Sequence, residues 1–250
     1  MTIIFLGTGT TSGIPVYGCL CKVCQEGRTF PFAKRKQSAV LVLCDDSALL
    51  IDAGFDVSGI VDTFKIEAVL LTHWHHDHYP GLFRLRWTKS LLPVYAPREG
   101  MDPEFIKNPL NLEFHFVKAF QELEMNPFKV TTLELKHEIE TYGFLIECGD
   151  AAFALLYDTK GLPDKTLNFL KTKRLDVAAV DATYAPSVED PYHNNLEEAV
   201  KLGEKLNAQK IILTHIDHKN LPLIEMLQYV KKRYPEKNIV AYDGLIVTTQ

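Results

Sequence analysis

Thr72-His73-Trp74-His75-His76-Asp77-His78 places four imidazoles and one carboxylate within seven positions, directly after the apolar run Val69-Leu70-Leu71. Imidazole nitrogen with one hard carboxylate suits zinc or manganese, and a metal left with an open position lowers the pKa of bound water toward neutrality. A strand ending near Thr72 would let His73 and His75 project together while Asp77 and His78 turn toward a neighbouring point. Two ions suit that spacing better than one. A solvated histidine tract would sit in a low-complexity tail, whereas this cluster follows a buried-looking strand.

Further candidate ligands recur just beyond apolar strands. His137 follows Val130 to Leu135 and Lys136, Asp158 follows Phe153 to Tyr157, and His215 follows Ile211 to Thr214. Each alone reads equally well as a solvent-facing histidine or a turn-capping aspartate. Together with His73, His75, Asp77 and His78 of the first cluster they make five histidines and two aspartates, enough for two divalent ions sharing one carboxylate.

Gly18-Cys19-Leu20-Cys21-Lys22-Val23-Cys24 holds three thiols in six positions, near enough to close on one ion. Zinc in a structural site takes four ligands, and His218, three residues past His215, can supply the fourth. Such a Cys3His centre would tie the N-terminal loop to the C-terminal half. A catalytic or redox cysteine is the competing reading, but clustered thiols favour a closed zinc site over one selected nucleophile. Cys44 and Cys148 lie in apolar strand contexts and read as ordinary buried thiols.

The elements that must position these groups are strand-rich. Ile3 to Leu6 reads as a first strand, Ser38 to Leu43 and Ala48 to Ile51 as a pair around Asp45-Asp46, and Ala68 to Leu71 as the strand feeding the histidine cluster. Further strands are expected at Val94-Tyr95, Leu112 to Phe116, Lys129 to Leu135, Gly143 to Glu147, Ala152 to Leu156, Val177 to Val180, Ile211 to Leu213 and Leu245 to Val247. Helices are expected over Pro163 to Lys171, Leu196 to Leu206 and Leu223 to Tyr234. That order predicts two packed sheets with helices on both outer faces in one domain spanning 1–250. Asp181 to Asn195, a polar stretch with two prolines, reads as a loop able to cover a site.

Composition narrows the function classes. The 250 residues are 46% hydrophobic and carry a formal charge of -5, which argues against long-range attraction to nucleic acid or anionic membrane. No apolar run approaches the roughly 20 residues of a membrane span, and Gly7 interrupts the N-terminal apolar stretch too soon for a signal peptide. A cytoplasmic protein is expected. Gly7, Gly9 and Gly13 do not follow the dinucleotide spacing, and the glycine run lacks the Gly-Lys-Ser/Thr ending of a phosphate loop.

With these residues in place, His73-x-His75-x-Asp77-His78 followed by His137, Asp158 and His215 resembles the metallo-β-lactamase superfamily. Within it, Gly7 to Pro15, Cys19-x-Cys21-x-x-Cys24, Gly81 to Trp87, Leu156 to Pro163, Leu213 to His218 and Asp243-Gly244 resemble the phosphodiesterases that open phosphoribosyl cyclic phosphate in phosphonate degradation. The resemblance implies an αββα sandwich of two mixed β-sheets. It implies one metal on His73, His75 and His137, a second on Asp77, His78 and His215, and Asp158 between them, with Asp77 also counted as catalytic. Cys19, Cys21, Cys24 and His218 would hold the structural zinc, and His193 in the late loop would be a catalytic proton donor. The cofactors implied are two catalytic Mn2+ or Zn2+ ions and one structural Zn2+.

The activity implied is hydrolysis of 5-phosphoribosyl 1,2-cyclic phosphate to ribose 1,5-bisphosphate. The partner is then a small phosphorylated cyclic sugar or nucleotide, with no stable nucleic-acid partner and no membrane, and a homodimer is among the assemblies allowed. A 3′-processing ribonuclease would use nearly the same residues but must also hold RNA away from the reactive phosphate, and this sequence has no long basic arm or clear RNA-binding insertion. A thioesterase has no distinguishing residue here, and a non-catalytic metal-binding protein has no need of seven ligands in open sites. Arg84, Arg86, Lys136 and Lys160 are candidates for a substrate's second phosphate only by nearness in sequence.

Overall fold

Two sheets are built from fourteen strands, in a computed structural model that describes residues 1–234 and 237–249. The first contains β1 (Thr2–Gly7), β2 (Ala39–Cys44), β3 (Ser47–Ile51), β4 (Lys65–Leu70), β5 (Leu92–Ala96), β6 (Leu112–Phe116) and β14 (Leu245–Thr248). Its order is β14-β1-β2-β3-β4-β5-β6. The second contains β7 (Glu122–Met125), β8 (Phe128–Glu134), β9 (Tyr142–Cys148), β10 (Ala151–Leu156), β11 (Val177–Asp181), β12 (Lys210–Thr214) and β13 (Asn238–Val240), ordered β13-β12-β11-β10-β9-β8-β7. Both are mixed: hairpins pair β2 with β3 and β9 with β10 antiparallel, while β3-β4-β5-β6 and β10-β11-β12-β13 run parallel. The expected sandwich is the observed one.

Burial on each strand explains the layering. Alternate residues such as Phe5, Val42, Leu49 and Leu70 face Phe128, Phe144, Phe153 and Val177 across the sheets. Truncating one of these phenylalanines to alanine would cost about 3–5 kcal/mol in lost burial and cavity. The opposite strand faces pack against helices: α2 (Ser58–Val61), α3 (Leu82–Leu85) and α4 (Pro103–Lys107) on the first sheet, α5 (Asp164–Lys171), α6 (Leu196–Leu206) and α7 (Leu223–Arg233) on the second. α6 carries its start signal in the sequence. Asn195 accepts from the Glu197 and Glu198 amides, and the Glu198 carboxylate accepts from the Asn195 amide, closing a capping box.

Three readings need correction. The thiol stretch is not all loop: Lys22–Thr29 forms α1, preceding α2 in the chain, and Cys21 is its N-cap, with its sulfur accepting from the Cys24 amide. Edge strands β7 and β13 were not expected, because β7 is mostly exposed and β13 spans three residues. Finally, Cys44 and Cys148 are not separate buried thiols. They are bonded to each other across the two sheets, with Cα atoms 6.6 Å apart.

Candidate metal centre

The site lies where the chain leaves the C-terminal ends of β3, β4, β10, β11 and β12. Asp52, Asp158 and His215, each the first or second residue past such a strand, have φ of 56°, 57° and 58°. Left-handed backbone is costly for residues other than glycine and persists where surrounding contacts fix it. Here the reversal turns each side chain over the strand ends. A Cβ at Gly54 would collide with the Asp77 carbonyl, so the absence of a side chain allows the β3 exit to lie against the histidine turn.

Every ligand candidate converges. The donor atoms of His73, His75 and His137 lie within 4.8 Å of one another, as do those of Asp77, His78 and His215. Asp158 stands between them: its Oδ2 is 2.8 Å from His78 Nε2 and 3.8 Å from His73 Nε2, while its Oδ1 is 3.1 Å from His215 Nε2. His73 Nε2, His78 Nε2, His137 Nδ1 and Asp158 Oδ2 are buried without a hydrogen-bond partner among the described residues. His78 and Asp158 are close yet misaligned for a hydrogen bond, as expected for two groups aimed at a common third point. Buried polar atoms left unpaired cost about 1–3 kcal/mol each, a penalty that divalent ions would remove. This donor set fits two such ions.

A supporting layer orients the rings. Asp52, fully buried, accepts from His78 Nδ1 at 2.7 Å, from the Thr72 amide and hydroxyl, and from Tyr157 Oη. Thr72 Oγ1 also lies 3.0 Å from His73 Nδ1, and Thr183 Oγ1 3.0 Å from His215 Nδ1. Thr11 Oγ1 donates to Asp77 Oδ1 at 2.6 Å. Burial would drive protons onto Asp158 and off His78. For Asp158 the charges of His215 and His78 win and hold its carboxyl well below the usual range; for His78 the carboxylates of Asp77, Asp52 and Asp158 win and hold the imidazole well above its own. His73 is pushed well below by burial and by the charge of His78, which outweigh the opposing charge of Asp158.

His193 comes to the same place from the 182–195 loop. Its Nδ1 donates to Asp181 Oδ2 at 2.9 Å and lies 3.3 Å from Asp158 Oδ1. Asp181 was not among the sequence candidates, although it ends the apolar strand Val177 to Val180 just as Asp158 and His215 follow theirs. Glu138, 3.0 Å from His75 Nε2, was also missed. Around the centre opens a cleft of about 480 Å³ lined by Thr10, Thr11, Ser12, His76, Tyr184 and Lys219 besides the ligands. The four cations singled out by proximity do not line it. Arg84 lies 3.9 Å from Asp56, Arg86 bonds Glu104, Lys160 bonds Glu198, and Lys136 is exposed outside the cleft lining.

The thiol cluster also assembles. Sγ of Cys19 and Cys21 lie 3.6 and 3.7 Å from His218 Nδ1, and Cys24 completes a group within 4.8 Å. Hydrogen bonds from Cys21 draw the Cys19 thiol down to about 7, while burial pushes Cys24 up to about 11. Four soft or borderline donors at one point fit a closed zinc site.

Comparison with known proteins agrees with this geometry. The family model described as a β-lactamase superfamily domain matches residues 48–216, and the chain belongs to that superfamily. A solved structure described as a new diphosphatase from the PhnP family is 29% identical, covers 100% of this chain and 98% of its own, and superposes with a TM-score of 0.83. A ribonuclease Z of Bacillus velezensis is 24% identical, over 100% of this chain and 99% of that protein. An octanoyltransferase of Porphyromonas gingivalis is 30% identical over 87% of this chain, but the match spans only 46% of that protein. The clustered His and Asp side chains are consistent with the metal site typical of hydrolases of this superfamily. Among the described residues, no helix is long and apolar enough to cross a membrane.

Proposed function

We propose that the chain is a metal-dependent phosphodiesterase acting on a small cyclic phosphate, with 5-phosphoribosyl 1,2-cyclic phosphate as its substrate. The observation that carries this reading is the seat of His193 on Asp158, the carboxylate standing between the two ligand groups. It puts a proton donor beside the reacting centre, which a poor alkoxide leaving group requires.

Divalent ions held by the seven ligands would supply Lewis acidity and a nucleophile derived from water at neutral pH. The other parts of the reaction fall to the chain. Asp52, Thr72 and Thr183 fix the rings of His78, His73 and His215, so the ligand nitrogens do not reorient as charge develops. Water adds to phosphorus, the bond from phosphorus to O2 breaks, and His193 Nε2 delivers the proton that O2 needs to leave. The anomeric phosphate is kept, giving ribose 1,5-bisphosphate. Burial alone would strip the proton from His193, but Asp181 and then Asp158 oppose it and raise the imidazole to about 9.

A cleft of about 480 Å³ suits a sugar phosphate, and the chain's net charge of -5 gives no attraction to a polynucleotide. A second reading, cleavage of a diphosphate, is favoured by the full-length likeness to the PhnP-family diphosphatase. Purified protein loaded separately with Zn2+ and Mn2+ would be assayed on the phosphoribosyl cyclic phosphate, 2′,3′-cyclic nucleotides, a nucleoside diphosphate and precursor transfer RNA. The expected order by kcat/KM puts the phosphoribosyl compound first. A higher value for the diphosphate selects the second reading, and a higher value for RNA rejects both.

A further inference from the structure

We propose that Lys219 is the specificity-determining cation of the cleft, holding the phosphate monoester that the substrate carries away from its reacting phosphorus. The inference rests on the phosphodiester reading above and names the second group that the substrate must present.

Among the described residues, Lys219 is the single lysine or arginine in the lining of the metal cleft. Lys160, two residues past Asp158, is already neutralised, lying 2.7 Å from Glu198. Among the described residues, no carboxylate is found within ion-pair distance of the Lys219 ammonium, and the neighbouring Asp217 lies 3.8 Å from His218 instead. The nearby Asp217 faces inward. Its Oδ2 accepts from Thr10 and Ser12 and its Oδ1 from the Lys219 amide, so the carboxylate is spent on holding the loop. Thr11 is likewise engaged, with Asp77. The three hydroxyls that first suggest a phosphate cradle are thus committed to protein carboxylates, and Lys219 is left as the anion-binding group.

Its base is rigid while its tip is free. The next residue, Asn220, is buried and donates to the carbonyls of Ala182 and Thr183, and the preceding residue, His218, belongs to the thiol cluster. The ammonium lies 5.9 Å from the centre of the Tyr184 ring, and that ring lies 6.0 Å from His193. Lys219 Nζ and the His193 ring are therefore at most about 12 Å apart, and both lie near the Tyr184 ring. A pentose with its reacting phosphate beside His193 would rest against Tyr184 and put a 5-phosphate within reach of the ammonium. A lysine ammonium is suited to such a group as a compact point charge.

The test compares selectivity. For wild type, Lys219→Gln and Lys219→Arg, kcat/KM is measured on phosphoribosyl 1,2-cyclic phosphate and on ribose 1,2-cyclic phosphate, which lacks the 5-phosphate. Lys219→Gln should lower the ratio of the two values by roughly 10- to 100-fold, chiefly through KM, as expected for losing one charge-assisted contact. Lys219→Arg should restore most of it. A proportionate loss on both substrates would reduce Lys219 to a structural role, and an unchanged ratio would overturn the proposal. If wild type cleaves neither compound, the phosphodiester reading fails by itself. Lys219 is then judged by calorimetric binding of ribose 5-phosphate to the metal-loaded protein, which Lys219→Gln should weaken by the same factor; equal affinity rejects the inference.

Discussion

Asp181 Oδ2 accepts the Nδ1 hydrogen of His193 at 2.9 Å, and this bond decides which edge of the imidazole is left for the cleft. Asp181 is fully buried and held in turn by the Thr159 amide and by the amide and hydroxyl of Thr183. The arrangement has the logic of a buried carboxylate orienting a histidine by its far nitrogen. His193 therefore needs no metal to be positioned.

Proton delivery is tested by His193→Ala and Asp181→Asn. Both should retain metal, and His193→Ala should lower turnover of an alkyl phosphodiester by about 10²- to 10⁴-fold. Loss on an activated aryl diester, whose leaving group needs little protonation, should be much smaller. Asp181→Asn should show the same discrimination with a smaller magnitude. Equal losses on both esters would remove the general-acid role, and loss of metal would make His193 a ligand.

Asp52 is expected to act on metal affinity through His78. Replacing it with Asn removes the charge that fixes the ring and should weaken binding of one ion by about 10- to 100-fold. Competition against a chromogenic chelator reads this directly. Unchanged affinity for both ions would leave Asp52 a purely structural partner of Thr72 and Tyr157.

Much of this was legible because the rule that gathers ligands is local. An apolar strand followed at once by His or Asp is visible in sequence, and it picked out Asp158 and His215, which the fold brings into one cluster. Asp52 after Ile51 and Asp181 after Val180 obey the same rule and could have been found by applying it to every strand. Edge strands β7 and β13 had no such signal, since a strand of three or four residues buries too little to impose a pattern. Lys219 could not be chosen over Arg84, Arg86, Lys136 or Lys160, because which cation faces a cleft depends on how distant loops meet. The pairing of Cys44 with Cys148 likewise follows only from the stacking of two sheets whose strands lie 104 residues apart.

The thiol cluster should bind an ion chemically distinct from the hydrolytic pair. Cys21→Ser removes both a donor to that ion and the sulfur that caps α1. Metal analysis should then show selective loss of one zinc per chain, with the exchangeable ions retained after dialysis against them. Full zinc content in the variant would show that the four side chains do not form a metal site.

Cys44 and Cys148 offer the last test, because their bond makes a countable difference. The chain has five cysteines, and with this pair bonded only Cys19, Cys21 and Cys24 remain free. Denatured, unreduced protein in chelator should therefore titrate three thiols, and five after reduction. The bond joins the ends of β2 and β9 remote from the metals: β3 runs from that end toward Asp52, and β9 starts at Tyr142, whose amide bonds Thr72. Breaking it with Cys44→Ala together with Cys148→Ala should cost stability, about 2–4 kcal/mol for a link closing so long a loop, while metal content is kept. Five thiols without reductant would show that the two sheets are held by packing alone.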